Sequence, residues 1–142
     1  MIVDLTGPED PLWDRAFPVL QELRPQLTRL ELVQILVRAA GQGLRFTAVI
    51  DDDQCVAVAG WRIMDTTSVG RKLYVDDLAT RASDRSRGYG GQLLAELTRR
   101  ARDEYNCRTI ELDSGVQRFP AHRFYLRERM QISSHHFSRR LD

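Results

Sequence analysis

The sequence predicts a mixed α/β (α+β) fold: a mostly antiparallel central sheet of about six or seven strands with helices on both faces. Three observations predict it. Helix-period segments occupy much of the first 40 residues. Three strand-like runs separated by short turns follow, between residues 44 and 80. A helix-period run at 88–105 then lies between two strand-like runs, and a crossover of that kind joins parallel strands.

The elements can be justified in order. Ile2 to Leu5 reads as a short strand. Pro8 to Leu23 carries Leu12, Trp13, Ala16, Phe17 and Leu20 at helical spacing, with Pro11 suited to a first turn and Pro18 expected to disrupt the middle. Thr28-Arg29-Leu30-Glu31 is a capping box that starts a helix through Ala40, and Gly41 and Gly43 end it. Leu44 to Ile50 alternates apolar and polar residues. Asp51-Asp52-Asp53 is a turn, so Gln54 to Met64 pairs back as a hairpin. Val56-Ala57-Val58-Ala59 is apolar on both faces, as a central strand requires. Lys72 to Thr80 is the next strand. The helix from about Gly88 to Tyr105 puts Leu93, Leu94, Leu97 and Ala101 on one face. Arg108 to Asp113 is a strand, Ala121 to Arg127 a short helix, and Met130 to Phe137 a last strand.

With 142 residues, 42% of them hydrophobic and 29% charged, the chain suits one domain, residues 1–142, with a real core. A net charge of +1 argues against nucleic acid and membrane surfaces as partners. Cys55 and Cys107 lie in apolar stretches without metal-ligand spacing and read as free thiols in a reducing cytoplasm. No signal peptide and no transmembrane run is expected. His122, His135 and His136 carry no metal spacing, so no metal is expected.

Arg85-Ser86-Arg87-Gly88-Tyr89-Gly90-Gly91 carries the most chemistry. A glycine-rich turn between a strand and a helix start leaves backbone N–H groups unpaired ahead of the positive helix end, which suits a phosphate or pyrophosphate. A Walker A loop requires GK[ST], but Gln92 follows Gly91. A dinucleotide fingerprint requires a third glycine and a place near the first strand. A kinase requires a lysine strand and a catalytic loop that this chain lacks.

What remains is Arg85-x-x-Gly88-x-Gly90 after Tyr74-Val75-Asp76-Asp77-Leu78-Ala79-Thr80, with Ala121-His122-Arg123-Phe124-Tyr125 further on. These segments resemble the acyl-coenzyme A motif, [QR]-x-x-G-x-[GA], and the A-x-x-F-Y helix of the GCN5-related N-acetyltransferase (GNAT) family. The resemblance implies the GNAT (acyl-CoA N-acyltransferase) fold and transfer of an acetyl group from acetyl-CoA to a primary amine. It implies that Arg87 to Gly91, Tyr89 included, cradle the pyrophosphate through main-chain N–H groups. Arg85 and Arg87 would add charge, and Leu78, Ala79 and Thr80 would pair with the pantetheine arm. Leu78 or Ala79 N–H would hold the oxyanion. Tyr125 would be the general acid for the leaving thiolate. Asp76 and Asp77, adjacent and therefore expected on opposite faces of the strand, are the first candidates for base and acceptor contact, with Glu111 and Asp113 second. Acid lining suggests a cationic acceptor such as a polyamine, an aminoglycoside-like amine or a peptide or lysine amine. A non-catalytic acyl-CoA sensor on the same fold is the alternative. A homodimer is a further expectation, with the 130s strand as candidate edge. The chain departs from the family pattern at Arg118, where Asn is common, and at Arg129-Met130, where Gly-Phe is common.

Overall fold

In a computed structural model describing residues 1–142, the first strand, β1 (Ile2–Leu5), leads into α1 (Trp13–Leu23) and α2 (Arg29–Ala39), which ends in a 3-10 turn at Ala40–Gln42. An antiparallel meander follows: β2 (Arg45–Asp51), β3 (Gln54–Thr66) and β4 (Gly70–Thr80). A 3-10 turn at Ala82–Asp84, α3 (Tyr89–Asp103), β5 (Thr109–Leu112) and α4 (Phe119–Arg127) complete the order. The sheet has five strands in sequence order, β1-β2-β3-β4-β5. β1 to β4 pair antiparallel. β4 and β5 are joined through α3, which makes them parallel neighbours and the sheet mixed.

Local sequence explains most of the boundaries. Thr28 caps α2: its hydroxyl accepts the Glu31 N–H at 3.1 Å and donates to Glu31 Oε1 at 3.0 Å. Asp52 (φ 48°) and Asp53 (φ 60°) form a two-residue hairpin turn between the paired Asp51 and Gln54, with both central residues left-handed as such a turn demands. Pro18 lies inside α1 without breaking it. Burial of Trp13, Ala16, Val19 and Leu20 along one face offsets the missing backbone hydrogen bond.

The sheet is covered on both faces. Trp13, Ala16 and Leu20 of α1 and Leu32 of α2 cluster with Phe46, Ala48, Ile50, Val58 and Ala79. Alternation turns Thr47, Val49, Ala57, Trp61 and Leu73 to the opposite face, where Leu93, Leu94, Leu97 and Ala101 of α3 are buried. Arg100 of α3 lies over the Trp61 ring at 6.0 Å.

The last expected strand, Met130 to Phe137, does not form, so the sheet has five strands and not six or seven. That segment breaks its alternation at Ser133-Ser134-His135-His136 and leaves Ile132 and Phe137 exposed, so little apolar burial rewards pairing. The chain divides into two compact units, Met1–Glu111 and Leu112–Asp142. The first holds both helix-covered faces. The second holds α4, in which Pro120 lies in the first turn. No helix is long and apolar enough to cross a membrane. Cys55 is buried, Cys107 half-buried, and both are free thiols. Burial pushes the Cys55 thiol up to about 11.

Candidate active site

The glycine-rich loop lies between the 3-10 turn and α3. Ser86 (φ 70°) and Gly88 (φ 85°) are both left-handed, and Gly88 is the N-cap of α3 with no side-chain cap. The first helical bond runs from Gln92 N–H to Gly88 C=O at 2.9 Å. The N–H groups of Tyr89, Gly90 and Gly91 ahead of it therefore have no partner within the helix. An ideal Cβ at Gly88 meets nothing within 4 Å, so the space beside this backbone is open. Unpaired donors, the helix dipole and open space fit an anionic phosphate group.

Three carboxylates brace this loop. Glu22 of α1 accepts the Ala82 N–H at 2.9 Å. Asp84 is buried, accepts Arg81 Nε–H at 2.5 Å and lies 3.6 Å from Arg87. The Arg81 hydrogen bond holds its carboxyl below the ordinary value. The Tyr89 hydroxyl donates to Asp51 Oδ2 at 2.5 Å, and that bond raises its pKa. Tyr89 thus spends its side chain on the β2–β3 turn and offers the loop its backbone only. The Arg85 and Arg87 side chains are exposed.

The acidic pair lies at an irregularity of β4. Gly60 pairs with Asp77 while Trp61 pairs with Val75, so Asp76 is the extra residue of a β-bulge. The expectation of opposite faces fails for that reason. Asp76 accepts Arg62 Nε–H at 2.9 Å and Nη2–H at 3.0 Å. Arg62 pairs with Tyr74 across β3 and β4 and also donates to Gln42 Oε1 at 3.1 Å. Asp77 Oδ1 accepts Arg24 Nε–H at 2.8 Å and Nη2–H at 2.6 Å, from the C-cap of α1. Both acids thus turn toward the face that α1 covers. Asp77 Oδ2 accepts no hydrogen bond and lies 3.2 Å from where a Gly60 Cβ would stand. Glu111 receives Lys72 Nζ–H at 3.0 Å.

Leu78, Ala79 and Thr80 pair with Ala59, Val58 and Ala57 of β3. On the other edge of β4, β5 is four residues long. It begins beside Arg71, whose carbonyl accepts the Arg108 N–H at 2.8 Å, and Glu111 reaches Lys72. Running parallel, it ends well short of Leu78–Thr80, whose outer edge carries no β5 ladder.

Within the second unit, Tyr125 is half-buried on α4, and burial raises its phenol above the ordinary value. Its ring meets that of Phe124 edge-on, with centroids 5.2 Å apart. His122 contacts the Gly115 carbonyl at 2.7 Å, and His136 lies 3.6 Å from Asp113.

Sequence reasoning missed Arg24, Arg62 and Gly60. Arg62 was legible from register: once Thr66 pairs with Gly70, Arg62 falls opposite Tyr74 and diagonal to Asp76. Arg24, arriving from a helix end, left no signal of that kind.

The Acetyltransferase (GNAT) family model matches residues 10–129. A relative, the uncharacterized N-acetyltransferase YhdJ of Bacillus subtilis (strain 168), is 32% identical over 124 residues, covering 85% of this chain and 84% of its own length. Among solved structures, the aminoglycoside N-acetyltransferase AAC(6')-Iy in complex with CoA is similar with a TM-score of 0.82 at 13% identity, over 99% of this chain and 93% of that one. A putative acetyltransferase from Agrobacterium tumefaciens str. C58 is similar with a TM-score of 0.79 at 22% identity, over 99% of both chains. At these identities the solved structures show a shared fold.

Proposed function

The chain belongs to the GNAT acetyltransferase family and is an acyltransferase, and from that premise we propose that it moves an acetyl group from acetyl-CoA to a primary amine by direct attack in a ternary complex. The observation that carries the donor is the α3 N-terminus, with the unpaired N–H groups of Tyr89 to Gly91 and the open space at Gly88. Acetyl-CoA supplies the activated thioester. Arg87 to Gly91 hold its pyrophosphate, with charge from the exposed Arg85 and Arg87. Leu78, Ala79 and Thr80, on the edge of β4 beyond β5, pair with the pantetheine arm, and Leu78 or Ala79 N–H faces the developing oxyanion.

The amine must lose a proton to attack. Of the two adjacent carboxylates, Asp76 has both oxygens engaged by Arg62, whereas Asp77 keeps Oδ2 without a hydrogen bond. Asp77 is therefore assigned the proton, directly or through a water. Tyr125 gives a proton to the leaving sulfur; a phenol is protonated through the neutral range, and burial raises this one above its ordinary value. Arg24 and Arg62 offset the charge of the acidic pair, so the acceptor is assigned as a primary amine without a cationic requirement.

Thiol release from acetyl-CoA, measured across amines, polyamines, aminoglycosides and peptide N-termini, tests the transfer. Tyr125→Phe is expected to lower kcat by about 10²-fold or more while acetyl-CoA binding, read by calorimetry, stays unchanged. A Tyr125→Phe protein with full turnover would remove the tyrosine from the mechanism. Acetyl-CoA binding without release on any amine would mark a sensor in place of an enzyme.

A further inference from the structure

We propose that Arg24 sets the acceptor specificity: it occupies Asp77 from outside the sheet and restricts the site to amines that carry a single positive charge. The inference deepens the proposed function and rests on its reading of Asp77 as the carboxylate that meets the amine.

The face of the sheet that α1 covers carries a row of three ion pairs. A Cβ on Gly60 would point at Phe46, so Gly60 looks toward α1. Alternation along β3 turns Arg62 and Met64 the same way, and their partners on β4, Tyr74 and Lys72, share that face. The bulge adds Asp76 and Asp77 to it. Arg24 pairs with Asp77 at 2.6 Å, Arg62 with Asp76 at 2.9 Å and Lys72 with Glu111 at 3.0 Å. Three acids and three bases cancel, so the row carries no net charge. The carboxylate oxygens are occupied as well. Arg62 takes both oxygens of Asp76, Lys72 and Thr109 take one each of Glu111, and Arg24 donates twice to Asp77 Oδ1. Asp77 Oδ2 is the oxygen left over, and it can meet one ammonium. A second ammonium on the same molecule meets guanidinium groups and no open carboxylate, and like charges in a half-buried site repel.

Of the three bases, Arg24 is the one on which this balance turns. Arg62 and Lys72 are strand residues whose side chains are 21% and 17% exposed, whereas Arg24 comes from the C-cap of α1 with its side chain 53% exposed. Its Nη2–H also donates to the Asp76 carbonyl at 3.3 Å, so it bridges the acidic pair. Without Arg24 the row carries one negative charge in excess, on the carboxylate that the amine approaches.

Thiol release from acetyl-CoA with pentylamine and with cadaverine, the same chain with an amine at each end, tests this. Wild-type protein is expected to give a kcat/KM for pentylamine at least equal to that for cadaverine, counted per amine group. Arg24→Gln is expected to raise the cadaverine-to-pentylamine ratio by about tenfold, chiefly through the KM for cadaverine, and added salt is expected to shrink that gain. Arg24→Lys keeps the charge and is expected to keep the wild-type ratio. A variant that only loosens α1 slows both amines together and leaves the ratio alone. An unmoved ratio in Arg24→Gln overturns the inference. A wild type that prefers cadaverine overturns it too, and so does an Arg24→Lys protein that behaves like Arg24→Gln. Asp77→Asn checks the underlying reading separately: full turnover of pentylamine by that variant removes Asp77 from the site. Turnover of neither amine by the wild type overturns both.

Discussion

Gly60 shows how one missing Cβ shapes the site. A Cβ there would stand 2.7 Å from Phe46 Cε1 and 2.8 Å from Cζ, and the Phe46 ring is buried edge-on against Trp13 with centroids 5.0 Å apart. Gly60→Ala is expected to cost roughly 1–3 kcal/mol in chemical denaturation, because Phe46 has no space to yield. The same Cβ would push on Asp77 Oδ2, so turnover should fall further than the lost stability explains. Gly88 differs in kind. Its Cβ would meet no protein atom, but its φ of 85° disfavours any L side chain. Gly88→Ala is expected to cost about 1–2 kcal/mol of stability. Calorimetry should show acetyl-CoA binding weakened by about tenfold or more, since the methyl enters the phosphate space. Unchanged affinity would place the pyrophosphate elsewhere.

Among the elements, four are tied by one polar chain that runs from the core to the surface. Trp61 Nε1–H of β3 donates to Thr47 Oγ1 of β2 at 2.9 Å, and the Thr47 hydroxyl donates to Asp4 Oδ1 of β1 at 2.8 Å. Arg100 of α3 closes on the same Asp4 oxygen at 2.7 Å. Thr47 is fully buried, and its hydroxyl carries the hydrogen-bonded link from the indole to the carboxylate. Thr47→Val keeps the volume but strands a buried Trp61 N–H. It is expected to lower stability by about 2 kcal/mol, read from the urea midpoint at unchanged slope. An unaltered midpoint would mean the chain contributes nothing. The β4 bulge is the other decisive element. It turns Asp76 and Asp77 to one face, where helix α1 and strand β3 each supply an arginine.

For the whole molecule, acid is the expected route to unfolding. Hydrogen bonds from Arg99 and then Arg100 hold Glu96 at about 2, below its ordinary 4.5. Backbone N–H groups of Thr6 and Leu12 lower Asp10, and Arg81 lowers Asp84. A carboxyl lowered in the folded state contributes stability that is full above its unfolded value and is lost as pH falls through the folded one. The melting temperature should therefore decline below about pH 4.5 and keep falling toward pH 2. Glu96→Gln should be less stable at neutral pH and show a shallower decline; an identical slope would deny Glu96 its part. The sequence by itself determined what is local. Helix periods, the Thr28 cap, the Asp52-Asp53 turn and the strand–glycine–helix order of the phosphate loop each depend on neighbours a few residues apart. The spacing of Arg85, Gly88 and Gly90 and of Ala121, Phe124 and Tyr125 carried the family. Only the tertiary structure decided the bulge at Asp76, the arginines that offset both carboxylates, the short reach of β5 along β4 and the absence of a strand at 130–137. Those depend on register and on which distant segments meet, as Arg24 meets Asp77 across 53 residues, and no local pattern encodes such a meeting.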